Sequence, residues 1–267
     1  MKIWYQTGTT YRYDPLFEAY GKNLEELCKR AVRPDTEVYV TGVPKVMPEV
    51  DRYKSIMYYH QSQFLKNMLR AEKEGYDAFV IGCSFDPVMD EGREMLSIPV
   101  VSIAHANVYM AAMLGELFAV VTCEPHIAEK YRQMIIRYGL REKHLQGPYV
   151  SPISEWELAE ALSKDPKPVA KKFKAVCEKA VADGASVLIP VPAFIYQLFY
   201  KSGGLTNVNG ATFLDPVAVA IKLAETLTDL SKIGIEVSRT LQVYGSPGKE
   251  LLKDVFKTYA PVFKIDY

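Results

Sequence analysis

An internal repeat is the feature of this 267-residue sequence that most limits how the chain can fold. The segment KNMLRAEKEGYDAFVIGCSF aligns with FKAVCEKAVADGASVLIPVPAF when Gly75 is set against Gly184. In the same way KIWYQTG aligns with FAVVTC, which places Thr7 opposite Thr122. Because a repeat within a chain reports on its architecture, the sequence predicts two similar halves that face one another, and not a solenoid.

Apolar strands alternate with amphipathic helical stretches in both halves, which predicts an α/β fold with parallel sheets. We predict two pseudo-symmetric α/β domains, one formed by residues 1–110 and 211–267 and the other by residues 111–210. The stretch from Ile233 onward is expected to form a turn and an amphipathic helix that packs on the body or on a partner subunit. The predicted strands are KIWYQ, TEVYVTGV, DAFVIGC and IPVVSIA in the first series, and ELFAVVT, LQGPYV, ASVLIPV and ATFLD in the second.

Charge balance and cysteine spacing narrow the classes of function. Lysine plus arginine and aspartate plus glutamate both number 32, and the lack of a basic excess argues against a nucleic-acid binder. The sequence shows no signal-like segment, and no apolar run approaches the roughly 18 residues of a membrane span, so we expect a cytoplasmic protein without a membrane partner. None of the four cysteines has metal-ligand spacing, which predicts free thiols and no bound metal.

Polar residues follow the carboxyl ends of several predicted strands. In open parallel sheets this is the edge at which ligands bind. The turn of Thr7, Gly8 and Thr9 offers hydroxyl and backbone N–H groups that suit a carboxylate or a ureide, and its glycine permits close approach of a ligand. Such turns are also common as ordinary loops. The other residues expected to line a cleft between the halves and to bind substrate are Ser84, Phe85, Thr122, Pro192 and Ala193.

Cys83 is the strongest candidate for a reactive group. It ends a buried strand in GYDAFVIGCSFDP and precedes a predicted helix, for which Asp86 is a suitable N-cap and Pro87 a suitable first residue. A thiol just before a helix start is exposed to the positive end of the helix dipole, which lowers its pKa and favours the reactive thiolate. The alternative is a small buried packing residue.

The other cysteines and one histidine have weaker claims. Cys28 and Cys177 lie at core-facing positions of predicted helices and are expected to be packing residues. Cys123 ends the first strand of the second half, where it either reaches the cleft or packs. His105 lies just past a strand end, where an imidazole either shares protons near neutral pH or is simply a polar residue at a helix start. The remaining histidines are expected at the surface or at helix ends.

The sequence resembles the aspartate/glutamate/hydantoin racemase superfamily, and most closely its hydantoin racemase-like branch. The resemblance runs from the first strand to about Leu227, and three stretches carry it. These stretches are GYDAFVIGCSFDPVMDEGREMLSIPVVSIAHA, LFAVVT and DPVAVAIKLAE. The resemblance implies two α/β domains with the active site in the cleft between them, no metal or organic cofactor, a small-molecule substrate and a homo-oligomer.

The resemblance also implies a mechanism, from which this sequence departs. Such racemases place two cysteines on either side of the substrate's α-carbon, so that one thiolate removes the proton and the opposite thiol returns one. Cys83 falls on the first position, but the repeat sets Pro192 at the second, and proline can neither give nor take a proton. His105 stands where hydantoin racemase relatives usually have glutamate. Either another group, such as Cys123 or His105, serves the second face, or the reaction has changed.

Three hypotheses about function follow. The leading one is a cofactor-independent enzyme of this superfamily, by resemblance a racemase or isomerase. It would use Cys83 in acid–base or nucleophilic chemistry on a small carboxylate or cyclic ureide. The second is a single-cysteine decarboxylase or an amide or ring-opening hydrolase, because one thiol suffices to protonate one face or to attack a carbonyl. The third is a small-molecule binding protein that has lost catalysis.

Overall fold

Two sheets form the framework of the computed structural model, which describes residues 1–47, 49–240 and 245–263. The strands of the first sheet are β1 (Lys2–Thr7), β2 (Glu37–Thr41), β3 (Ala78–Gly82) and β4 (Val100–Ser102). The strands of the second sheet are β5 (Phe118–Thr122), β6 (Tyr149–Val150), β7 (Val187–Val191), β8 (Asn207–Val208) and β9 (Ala211–Phe213). We refer to the first sheet and the helices that cover it as the first half, and to the second sheet and the helices that cover it as the second half.

The strand order repeats between the halves. The first sheet runs β2-β1-β3-β4 and the second runs β6-β5-β7-β9, with β8 added antiparallel at its edge. The other neighbouring strands pair in parallel. The α/β fold with two parallel-dominated sheets that the sequence predicts is therefore confirmed. The boundaries proposed for the two domains stay a prediction.

Helices connect the strands and cover the sheets. Within the described residues none of them is long and apolar enough to cross a bilayer. The helices are α1 (Glu18–Ala31), α2 (Lys54–Lys73), α3 (Met89–Met95), α4 (Ile103–Leu114), α5 (Pro125–Arg137), α6 (Glu155–Ser163), α7 (Lys167–Ala182), α8 (Ala193–Lys201), α9 (Pro216–Lys232) and α10 (Lys249–Phe263).

Several helix ends follow directly from the local sequence. Gly75 and Gly184 come just after α2 and α7 with φ values of +77° and +112°, a left-handed conformation that glycine adopts without a steric penalty. Asp215 caps α9, because its carboxylate accepts hydrogen bonds from the backbone N–H groups of Val217 and Ala218, both at 3.1 Å. The ends of α2 and α7 and the start of α9 are therefore set by residues next to them in the sequence.

One continuous cluster of buried apolar side chains runs through both halves and includes Val120, Leu188 and Val217. Strands β3 and β7 are buried along their whole length, as expected for parallel strands covered by helices on both faces. Cys28 and Cys177 are buried within the same cluster, in agreement with their predicted packing role. Helix α9 lies after the second sheet in sequence but packs on α1, α4, β3 and β4 of the first half.

The helix predicted directly after Cys83 begins later than expected. Asp86 is not an N-cap and Pro87 is not a first helical residue, because α3 starts at Met89. The intervening turn has positive φ values of +48° at Asp86 and +50° at Val88, so the chain reverses before it becomes helical. This part of the sequence-based prediction is wrong.

Asp86 instead joins the two halves. Its buried carboxylate accepts hydrogen bonds from the hydroxyl groups of Ser102 and Tyr138, and from the backbone N–H of His105 at 3.3 Å. Ser102 ends β4 in the first half, whereas Tyr138 follows α5 in the second. Burial raises the pKa of this carboxyl group, although the three donors oppose the shift. The turn that follows Cys83 is therefore held by a polar network within the protein.

Candidate active site

Cys83 lies at the carboxyl end of β3, with its partly exposed side chain facing a cavity between the two halves. Gly8 lies beside it, at the end of the neighbouring strand. A methyl group placed on Gly8 would lie 3.4 Å from the Cys83 Sγ and 3.6 Å from the His60 Nε2. The thiol and the imidazole therefore flank the same glycine, which leaves both of them open to the cavity.

Close packing of strand ends places this thiol. Thr7 pairs with Gly82 in the parallel register of β1 and β3, so the Thr7–Thr9 turn lies next to Cys83. A Cβ on Gly82 would come within 2.3 Å of the Tyr5 ring, so only glycine fits directly before the thiol. The Thr7 Oγ1 lies 3.4 Å from both the hydroxyl oxygen and the backbone nitrogen of Thr9, which holds the turn.

Cys83 is a neutral thiol in the free protein. Burial raises its pKa to about 12, and the nearby carboxyl groups, of which Glu155 has the largest effect, raise it further. The backbone N–H of Phe85 opposes the shift but does not overcome burial. The lowered pKa that the sequence predicts for Cys83 is wrong, because burial raises the pKa and no helix begins directly after the thiol to oppose that effect.

The wall contributed by the second half carries no thiol at the position equivalent to Cys83. Thr122 pairs with Val191 in the register of β5 and β7, just as Thr7 pairs with Gly82 in the first sheet. The residue that follows Val191 is Pro192, and it lines the cavity together with the first residues of α8. The strand registers therefore agree with the alignment of Cys83 and Pro192 in the sequence repeat.

Glu155 supplies an acidic group to this wall. The chain leaves β6 with two further hydrogen bonds to the end of β5, from Ser151 N to Thr122 O at 3.0 Å and from Ile153 N to Cys123 O at 3.1 Å. Ser154 then caps α6, which makes Glu155 the first helical residue and places it in the cavity. A short segment bonded to the end of β5 thus fixes the backbone position from which the Glu155 side chain enters the cavity.

The carboxyl group of Glu155 is unusual in two respects. It is half-buried, and no described residue forms a hydrogen bond or an ion pair with it. Burial raises its pKa to about 8, and the negative charges of Asp51 and Glu124 contribute to the shift. Near neutral pH it therefore exchanges protons readily, as a general acid or base must.

The loop before α2 closes the cavity by reaching across to the second half. Asp51 contacts the His126 Nε2 at 2.5 Å, and Arg52 forms an ion pair with Glu124 at 2.8 Å. The Lys130 ammonium also donates to the backbone carbonyl of Asp51. These contacts join the loop to the amino-terminal part of α5, so this side of the cavity is held by polar and ionic contacts.

The cavity is acidic and rich in aromatic side chains. Four carboxyl groups but only one guanidinium stand among its described lining residues, and the guanidinium of Arg52 already pairs with Glu49 as well as Glu124. The carboxyl groups belong to Glu49, Asp51, Glu124 and Glu155. The aromatic residues are Phe17, Tyr20, Phe85, Trp156 and Phe194.

Comparison with known proteins assigns the chain to a family. A family model described as Asp/Glu/Hydantoin racemase matches residues 18–224. A hydantoin racemase from Pseudomonas sp. (strain NS671) is 30% identical over 237 residues, which cover 87% of this chain and 88% of that protein. The chain belongs to the Asp/Glu/hydantoin racemase family. It is accordingly an enzyme of the isomerase class.

Solved structures agree on the fold of this racemase-family enzyme. An allantoin racemase from Klebsiella pneumoniae superposes with a TM-score of 0.70 and 20% identity, covering 93% of this chain and 94% of the other. The allantoin racemase AllR from Pseudomonas fluorescens gives a TM-score of 0.72 and 19% identity, covering 93% and 98%. At these identities the likeness concerns the fold alone. The predicted membership of the racemase superfamily is confirmed.

Most of the residues that the sequence places in the cleft of this enzyme do line the cavity, although their roles stay predictions. They are Thr7, Gly8, Thr9, Cys83, Ser84, Phe85, Pro192 and Ala193. Thr122 and Cys123 are fully buried at the end of β5 and do not line it. Burial raises the pKa of the Cys123 thiol well above its ordinary value. Cys123 is therefore not a candidate for the second face of the substrate.

His105 also lies away from the cavity. Its ring packs at 4.7 Å from the Tyr109 ring and at 5.2 Å from the Tyr138 ring, measured between ring centres. Burial lowers the pKa of His105 to about 4, so the imidazole is neutral at physiological pH. The geometry argues against the hypothesis that His105 replaces the second thiol, because the His105 ring faces the aromatic contact between α4 and α5 and not the cavity.

His60 and Glu155 are two of the cavity residues that the sequence did not identify. His60 was expected at the surface or at a helix end, but it is buried on α2 and faces Gly8. Its spacing with Phe64 and Met68 on one helix face indicates burial. Glu155 belongs to ISEWELAEAL, where Ser154 and Glu157 have the spacing of a capping box, a signal that predicts a helix start just past a strand.

The raised pKa predicts slow alkylation of Cys83 near neutral pH. At pH 8 a thiol of pKa about 12 carries about 10³ times less thiolate than an ordinary exposed thiol. We expect the iodoacetamide reaction of Cys83 to be at least about tenfold slower than that of glutathione at pH 8, and to accelerate up to the highest pH the fold tolerates. Peptide mass spectrometry after timed quenching measures this. A rate that levels off below pH 8 would show a thiolate and contradict the assignment.

Proposed function

We propose that this enzyme racemises neutral cyclic ureides, namely hydantoins with an apolar substituent on the reacting carbon, by cofactor-independent proton transfer involving Cys83. The observation that carries this proposal is the composition of the cavity, in which one thiol stands among aromatic side chains and an excess of carboxyl groups. The similarity to curated hydantoin racemases supports it.

The charge of the cavity favours a neutral substrate. A free amino acid such as aspartate or glutamate brings one or two carboxylates, each of which needs a cation or several donors when it leaves water. The one guanidinium among the described lining residues, that of Arg52, is shared between Glu49 and Glu124. A hydantoin ring carries no carboxylate, so it enters without this electrostatic cost.

The aromatic walls favour an apolar substituent. Phe17 lies between Trp156 and Phe194, with ring centres 5.3 Å and 6.3 Å away, and Tyr20 stacks on Phe194 at 3.9 Å. Burying an apolar group against such surface contributes about 25 cal/mol per Å². The polar hydantoin ring would then face the Thr7–Thr9 turn, whose hydroxyl and N–H groups match ring carbonyl and N–H groups.

A one-thiol reaction is the second candidate, because Pro192 occupies the strand end equivalent to Cys83. Two features weigh against it. Decarboxylation of a malonate-type substrate would bring two carboxylates into an acidic cavity. Hydrolysis through attack by Cys83 requires a thiolate, whereas burial raises the pKa of this thiol to about 12. Racemisation only requires a thiol that gives or takes a proton once substrate is bound.

The proposal is tested by incubating single enantiomers in deuterated water. We expect the enzyme to invert 5-benzylhydantoin with incorporation of deuterium at the α-carbon, allantoin more slowly, and aspartate at least about 10²-fold more slowly, since unpaired carboxylates are costly to bury. Chiral chromatography and mass spectrometry follow inversion and exchange together. Faster exchange with aspartate than with any hydantoin, or ring opening or loss of carbon dioxide in place of inversion, would contradict the proposal.

A further inference from the structure

The cavity contains several titratable side chains, and most of its carboxyl groups are committed to partners. Glu49 and Glu124 pair with Arg52, at 2.6 Å and 2.8 Å, and Asp51 pairs with His126. Side chains in such pairs are held in position by their partners, so they are less free to turn toward a bound substrate. They account for three of the four carboxyl groups that line the cavity in the described part of the chain.

His60 and Tyr20 are also poorly placed to transfer a proton on the face of the substrate opposite Cys83. His60 belongs to the same half as Cys83 and flanks the same glycine, so it approaches a bound substrate from the thiol's own side. Tyr20 forms a hydrogen bond with Thr7 and stacks on Phe194, and burial raises its pKa well above 10. Neither group stands in the wall that the second half contributes.

The remaining carboxyl group, that of Glu155, combines three features that none of these groups has together. It comes from the second half, it lines the same cavity as Cys83, and no described residue pairs with it. The backbone hydrogen bonds of Ser151 and Ile153 to the end of β5 fix the start of α6, and so they set the backbone position of Glu155 beside the cavity. Leaving a carboxyl group half-buried without a cation costs stability, a cost that a structural role does not explain.

We infer that Glu155 takes the place of the missing second thiol and exchanges the proton on the face of the substrate opposite Cys83. This inference rests on the proposed function, because it assigns the second acid–base group of the same racemisation. It also explains how an enzyme of this family can racemise with proline at the strand end equivalent to Cys83. The second acid–base group is then a carboxyl group on the neighbouring helix α6, and not a thiol at the end of β7.

The proton balance is complete with these two groups. In one direction the Glu155 carboxylate removes the α-proton, the electron pair of the broken C–H bond passes into the adjacent carbonyl as an enolate, and the Cys83 thiol protonates the carbon on the other face. The products are the opposite enantiomer, a carboxylic acid and a thiolate. In the other direction the thiolate removes the proton and the carboxylic acid returns one, so neither oxidant nor cofactor is consumed.

Glu155→Gln tests this assignment, because it keeps the shape of the side chain and removes only its proton transfer. We expect racemisation to fall by about 10² to 10⁴-fold, while one enantiomer still exchanges its α-proton for deuterium without inversion through Cys83. Cys83→Ser should leave the reciprocal pattern, with exchange retained in the other enantiomer alone. Glu160→Gln is the matched control, since Glu160 lies on the same helix and pairs with Lys164 in solvent.

These experiments distinguish failure of the Glu155 assignment from failure of the proposed function. Folding of the variants is checked by near-ultraviolet circular dichroism, and the substrate is 5-benzylhydantoin in deuterated water. Racemisation by Glu155→Gln within about twofold of the wild-type rate, or equal loss of exchange from both enantiomers in a folded variant, would overturn the role of Glu155 and leave the proposed function standing. Absence of exchange with either enantiomer in the wild-type enzyme would remove the proposed function itself and this inference with it.

Discussion

Replacement of Cys83 by serine is expected to lower racemisation by at least about 10³-fold, because a hydroxyl group neither gives nor takes a proton at carbon near neutral pH. The side chain lies at the end of β3 and faces the cavity, and serine is close to cysteine in size, so the fold should not change. The measurement is the rate of optical inversion of 5-benzylhydantoin, with the melting temperature as a check on the fold.

Cys177→Ala is the matched control for this variant. Cys177 is buried on α7 and does not line the cavity, so its removal should leave the inversion rate within about twofold of the wild-type rate. The packing loss should cost about 1 kcal/mol. An inversion rate for Cys83→Ser that matches that of Cys177→Ala would exclude Cys83 from the chemistry.

Asp86→Ala is expected to lower the free energy of unfolding by about 2 to 4 kcal/mol. The carboxylate accepts hydrogen bonds from Ser102 and Tyr138 side chains and from the His105 N–H, and removing it leaves these buried donors without an acceptor. Alanine also tolerates the φ of +48° at this position less well than aspartate does. Because Tyr138 belongs to the other half, the loss should weaken the contact between halves.

Urea denaturation followed by circular dichroism measures this change. Glu94→Ala provides the control, since Glu94 is exposed on the same helix that follows the turn, and it should change the free energy by no more than about 0.5 kcal/mol. If both variants unfold at the same urea concentration, the network around Asp86 does not stabilise the turn after Cys83.

The architecture was predictable because the signals that set it are local and repeated. Apolar runs bounded by Gly75 and Gly184 fix the positions of β3 and β7, and the alignment of these two glycines already sets Cys83 against Pro192. The strand registers then follow, because parallel pairing buries these runs on both faces. The family resemblance rests on the same stretches and is confirmed by the matching family model.

The chemistry of the site was less predictable because it depends on burial and on distant contacts. A helix start was assigned to Asp86 on spacing alone, whereas its carboxylate is drawn inward by donors that are remote in sequence, including Tyr138. The raised pKa of Cys83 follows from burial by both halves, which a strand-end position does not reveal. Glu155 shows only a capping pattern in the sequence, and its lack of a partner becomes visible only in three dimensions.

The two halves present unlike groups to the cavity, a thiol after β3 and a carboxyl group on α6, and this difference has a kinetic consequence for a racemase. For a substrate with one stereocentre the equilibrium constant is one, so kcat/KM must be the same in both directions. With a thiol and a carboxyl group in place of two thiols, each enantiomer requires the opposite protonation form of the enzyme, and the two forms differ in free energy. After each turnover the enzyme is left in the protonation form that suits the opposite enantiomer, and it must exchange protons with solvent before it can act on the same enantiomer again. At high substrate concentration this exchange limits turnover. Unequal kcat values for the two enantiomers would then report the difference in free energy between the two protonation forms.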